Sequence, residues 1–115
     1  MVTYDTYGSR ARDMDQLRVR IETALGLQFE ARWSDLFGGD YFLWRSKDRS
    51  CRERLTIIRN HHLTLGDYHP VKVSEEPEFA KYQLLLRVER SLRGDEIRTK
   101  LATVPGLDFL QRIVI

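Results

Sequence analysis

The chain has 115 residues, 42% hydrophobic and 31% charged, with 19 Lys and Arg against 17 Asp and Glu. That is enough apolar material for one core, too little length for two, and the wrong composition for a disordered segment. Residues 1–10 hold no apolar run of signal-peptide length and no stretch long enough to cross a bilayer occurs elsewhere, so a single cytosolic domain over residues 1–115 is expected, with no membrane partner.

Arg10 to Leu25 places Leu17, Ile21, Ala24 and Leu25 on one helical face. Asp13 stands where an N-cap belongs, Asp15 suits the positive end of the helix dipole, and Gly26 can end the helix in a left-handed conformation. Leu27, Phe29, Ala31 and Trp33 then alternate with polar residues, the period of a strand with one buried and one wet face. Ser34 to Asp40, with Gly38-Gly39, reads as a turn.

Tyr41 to Trp44 is apolar on both parities and reads as a central strand. Lys47 to Arg52 forms a charged hairpin loop, and Glu53 to Arg59 returns as a strand. Asn60 to Lys81 is the longest irregular stretch, with all three histidines and Glu75-Glu76-Pro77-Glu78; a short edge strand is expected near Val71 to Val73. Loops of this length in small domains are commonly functional. Tyr82 to Val88 is a strand, Ser91 to Val104 a second helix, and Leu107 to Ile115 a closing strand.

Gly26-Leu27-Gln28-Phe29 and Gly106-Leu107-Asp108-Phe109 therefore mark two matched helix-to-strand exits. The predicted class is α+β: a mostly antiparallel sheet of about five strands with both helices on one face. Leu17, Ile21, Leu25, Phe29, Leu101 and Phe109 should be buried together. The other face keeps apolar residues of the wrong parity, to be shielded by arginine stems or used as a protein-binding or dimer surface.

Charge is unevenly spread. Basic and acidic residues number five and seven in 1–40, six and two in 41–60, two and four in 61–81, and six and four in 82–115. Cys51 is the sole cysteine, which excludes an internal disulfide and a cysteine-based metal cluster. Arg49, Arg52 and Arg54 beside it could acidify the thiol, but a lone loop cysteine is ordinarily incidental.

His61, His62 and His69 with Asp67 bring a metal to mind, yet adjacent histidines on an extended chain point to opposite sides, and solvated loop histidines are the simpler reading. The carboxylate groups Asp35 with Asp40, and Glu75, Glu76 and Glu78, likewise read as solvated rather than catalytic. Gly38-Gly39 lacks the residues of a phosphate loop. Neither catalysis nor a cofactor, metal or small-molecule substrate is expected. Tyr41 to Arg59, with Arg45, Lys47, Arg49, Arg52 and Arg54 among aromatics, offers an alternative role in nucleic-acid binding, weaker than its reading as a strand and charged hairpin.

Gly26-Leu27-Gln28-Phe29-Glu30, Gly38-Gly39-Asp40-Tyr41, Ile57-Ile58-Arg59-Asn60 and Gly106-Leu107-Asp108-Phe109-Leu110 resemble small bacterial immunity proteins encoded beside polymorphic toxins, including those of contact-dependent growth inhibition. The resemblance implies a non-enzymatic cytosolic protein that binds one cognate toxin domain, often a nuclease, and occludes its active site. Immunity proteins against nucleases are commonly acidic whereas this chain is net basic, so the expectation falls on local acidic stretches. Asp67, Glu75, Glu76 and Glu78, with Asp40, would enter a toxin groove shaped for phosphates, and Tyr68 or Trp44 would anchor the contact.

Overall fold

The computed structural model describes residues 1–65 and 70–115. Among the described residues eight strands and two α-helices follow one another: β1 (Thr3–Ser9), α1 (Met14–Leu25), β2 (Glu30–Ser34), β3 (Gly39–Arg45), β4 (Arg54–Arg59), β5 (His61–Leu65), β6 (Pro70–Ser74), β7 (Leu84–Ser91), α2 (Gly94–Leu101) and β8 (Leu107–Val114). Six strands form one antiparallel sheet in the order β2-β3-β4-β7-β1-β8, and β5 pairs with β6 as a separate hairpin. The α+β class and the mostly antiparallel sheet are as expected, with one strand more than predicted.

The additional strand is β1. It lies between β7 and β8 and joins the two helix-to-strand units into a single sheet. The first helix starts at Met14, as Asp13 at the N-cap predicts: its side chain accepts from the Gln16 amide at 3.0 Å. Gly26 closes it with φ 68°. The second helix is shorter than Ser91 to Val104: Ser91 belongs to β7, where its hydroxyl donates to the buried Glu53.

Leu17 and Ile21 of α1 meet Ile97 and Leu101 of α2 over Tyr7, Leu55, Ile57, Leu86 and Val88 of the sheet, and Leu25, Phe29 and Phe109 pack against this cluster half-buried. Both helices thus cover one face, and each fully buried aliphatic side chain there contributes roughly 1.5–3 kcal/mol. On a strand, neighbours point to opposite sides. Ile58 and Leu85 accordingly enter a second cluster with Tyr82, closed by Phe37, Tyr41, Phe79 and Leu110. The opposite face is therefore capped, not left open, by two 3-10 turns, Asp35–Phe37 and Pro77–Phe79.

Tyr7 sits in the main core with its hydroxyl unpartnered among the described residues. Burial, reinforced by the nearby Asp5 carboxylate, pushes its pKa up from 10 to about 12. The folded state then holds this proton more tightly than the unfolded chain, so its contribution to stability is complete below pH 10 and is lost as pH rises towards 12. Titration of tyrosinate absorbance should show Tyr7 ionising well after an ordinary tyrosine, with Tyr82 also raised by its hydrogen bond to the Asp108 carboxylate. Stability should fall above pH 10 by up to about 1.4 kcal/mol per pH unit, and Tyr7→Phe should remove both the step at about pH 12 and its share of that slope. A step at about pH 12 that survives Tyr7→Phe would assign it elsewhere.

Candidate functional site

Asn60, fully buried between β4 and β5, organises the acidic segment. Its Oδ1 accepts from the Glu76 amide at 2.9 Å, and its Nδ2 donates to the carbonyls of Phe79 and Tyr82, each at 3.0 Å. Its own carbonyl accepts from the Glu75 amide and its amide donates to Gln83. One side chain thereby satisfies backbone groups of a turn that has no ladder of its own.

The segment that Asn60 holds is less solvated than the sequence suggests. Glu75 Oε1 lies 3.7 Å from Arg87 Nη1, and Glu76 Oε1 lies 3.2 Å from Arg87 Nη2. The other Glu75 oxygen is 3.3 Å from Nε2 of His62. His62 itself is buried, not a solvated loop histidine, and its Nδ1 has no partner among the described residues. Its ring lies so close to Gly38 that a Cβ there would stand 2.3 Å from His62 Cβ, and Gly38 also has φ 74°. Only glycine meets both demands.

His61 points the other way. Its Nε2 donates to the Ala80 carbonyl at 2.7 Å, which leaves Nδ1 to accept from the Ser74 hydroxyl at 2.8 Å. The two adjacent histidines therefore serve different surfaces. Among the described residues, no three His, Cys, Asp or Glu side chains converge on a point where they could hold a metal.

The other predicted contact residues are dispersed. Asp67 and Tyr68, like His69, lie outside the described residues. Glu78 is exposed and lines a shallow depression with Glu76, Arg87 and Glu89. Trp44 is half-buried on the helix-covered face, packed on the main core with Arg93 over its ring at 5.9 Å. Asp40 is exposed at the start of β3, directly opposite Trp33 of β2.

Trp33 is the residue that the alternation misleads. It reads as buried, yet it is 66% exposed, because β2 is an edge strand on which Glu30 to Trp33 are all exposed. Leu36, three residues on in the 3-10 turn, is 77% exposed, and that turn packs against β5, where Leu63 also faces solvent. Nothing in the period of the sequence says where the sheet ends.

A different surface lies at the far end of β3. Arg45, Lys47, Arg49, Arg52, Arg54 and Arg90 line a cleft of about 520 Å³ together with Asp48, Glu53 and Glu89. Arg90 has φ 54°, uncommon for a side chain that is neither Gly, Asn nor Asp. It stands in a bulge: Thr3 pairs with Ser91 and Asp5 with Val88, so Glu89 and Arg90 together oppose Tyr4. Such a backbone costs on the order of 1–2 kcal/mol.

No family model, characterised protein or solved structure matches the chain.

Replacing Asn60 by Ala strands several buried backbone groups at once. Urea unfolding of Asn60→Ala should show a loss of about 3 kcal/mol, with the Glu75–Phe79 amides exchanging faster than those of β7. A loss below 1 kcal/mol, on the order of an ordinary single hydrogen bond, would show that Asn60 does not hold the segment.

Proposed function

We propose that this chain is an immunity protein, a cytosolic binding protein that occupies the active-site groove of a cognate toxin domain, such as a nuclease, and neutralises it without chemistry of its own. The observation that carries the reading is the exposed Trp33 on the free edge strand, opposite the carboxylate of Asp40 and followed by the exposed Leu36. A large indole left in water beside a free strand edge is a feature of surfaces that a partner covers. Tryptophan also supplies more binding energy at protein interfaces than most residues.

Under this reading Trp33 and Leu36 form the desolvated centre and Asp40 the charged rim facing basic groups of the toxin. Glu78 adds acidic character on the capped face, whereas Glu75 and Glu76 are engaged by Arg87 and steady the segment. Rim charges act mainly on the rate of encounter and buried anchors on the rate of escape. The resemblance in element order to immunity proteins supplies the class of partner.

The test is coexpression with a toxin domain encoded by a gene adjacent to that of this chain. Restored growth and a one-to-one complex are expected; continued growth arrest overturns the reading. Trp33→Ala should weaken the complex by on the order of 2 kcal/mol, about thirtyfold in Kd, mostly through faster dissociation. Glu78→Lys should slow association, with the effect fading as salt is added. Unchanged affinity for Trp33→Ala would move the contact away from the β2 edge.

A further inference from the structure

We propose that the cleft between the β3–β4 connection and the end of β7 is a binding site for closely spaced phosphates, carried either by a single-stranded nucleic acid backbone or by a free polyphosphate. The inference is independent of toxin binding. A volume of about 520 Å³ falls within the range of small-molecule sites, roughly 300–1,000 Å³. Charge makes the cleft specific. Its three carboxylates are all engaged: Asp48 accepts from the amide and hydroxyl of Ser50, Glu53 is held by Ser91 and Arg93, and Glu89 by Arg54. Arg45, Lys47, Arg49, Arg52 and Arg90, by contrast, have no carboxylate partner among the described residues.

Five unpaired cations around one opening repel one another until an anion enters. Four are guanidiniums, whose forked donors match phosphate oxygens two at a time. The strained backbone at Arg90 is the second sign. The bulge brings this side chain to the wall shared by the cleft and a neighbouring hollow lined by Ser50, Cys51 and Arg52. Among the described residues no aromatic side chain lines the cleft. It therefore offers no stacking platform for bases, and recognition rests on phosphate charge with little dependence on base sequence.

Binding to the full-length chain is measured by fluorescence anisotropy with a short labelled uridine oligomer, and by calorimetry with inorganic tripolyphosphate. A polyglutamate of equal charge is the control. Tripolyphosphate should bind, displace any bound oligomer and lose affinity with added salt. Tripolyphosphate binding without oligomer binding assigns the site to free polyphosphate, and binding of both assigns it to the shared phosphate chemistry. Arg52→Gln and Arg90→Gly should each weaken tripolyphosphate binding about fivefold. Arg90→Gly separates binding from folding, because glycine accepts the positive φ: its melting temperature should equal or exceed that of the parent while affinity falls. The proposal is overturned if tripolyphosphate fails to bind, if both variants bind it as the parent does, if an oligomer is bound that tripolyphosphate cannot displace, or if polyglutamate binds as tightly.

Discussion

Arg112 clasps the fully buried carboxylate of Asp5 from the facing strand, with Nε and Nη2 each 2.9 Å from one oxygen. Its third nitrogen reaches Asp95 in the first turn of α2 at 2.6 Å. The two strands are brought together from opposite ends of the chain, Asp5 standing directly across from Arg112 in the register. The start of α2 must come close enough to share this guanidinium, and Gly94 permits it: a Cβ there would stand 2.5 Å from Thr3 Oγ1 and 2.8 Å from Arg112 Nη2. Breaking such a pair from one side costs on the order of 3–5 kcal/mol, because a charge is then left buried and unpaired. The pair fixes the position of β1, and β1 fixes the sheet. Without it the β7–α2–β8 unit would have no strand through which to close.

The same pair explains why β1 was hidden in the sequence while α1, β3, β4, β7 and β8 were legible. Those elements announce themselves by apolar period and by caps such as Asp13 and Gly26. In Tyr4-Asp5-Thr6-Tyr7-Gly8 a buried position holds an aspartate, and no local pattern reveals that its partner arrives more than a hundred residues later. Of the β5–β6 hairpin only a short strand near Val71 to Val73 was legible, and β5 escaped for a related reason. Its inward residue is His62, and its attachment to the domain runs through the polar Asn60, so neither carries a hydrophobic signal. Trp33 failed in the opposite direction: its alternation was correct for a strand, but exposure depended on β2 being an edge.

The long stretch after β4 emerges as packing material before anything else. Ile58 and Leu85 point away from the helices and need cover, which Phe37 and Phe79 provide from the two 3-10 turns. Asn60 pins one of these turns and the Gly38–His62 contact seats the other. The acidic run follows from this placement. Glu75 and Glu76 neutralise Arg87, which emerges on the capped side of β7 and would otherwise be a half-buried unpaired cation. An apparent cluster of three carboxylates thus leaves Glu78 as its outward-facing member, which is why local charge counting overstated the acidity of this surface.

What separates the two candidate surfaces is the length of β3. Asp40 stands near its beginning, across from Trp33, and Arg45 at its end, on the rim of the basic cleft. A strand advances about 3.3 Å per residue, so these ends lie roughly 17 Å apart. Solvent-exposed charges at that separation are about two Debye lengths from each other at physiological salt, and each is largely invisible to the other. The net charge of +2 therefore describes neither end. β3 thus holds the Trp33–Asp40 edge and the cleft of unpaired guanidiniums beyond the range at which the charges of one would cancel those of the other, so the protein partner proposed for the first and the phosphate proposed for the second would not compete for the same field.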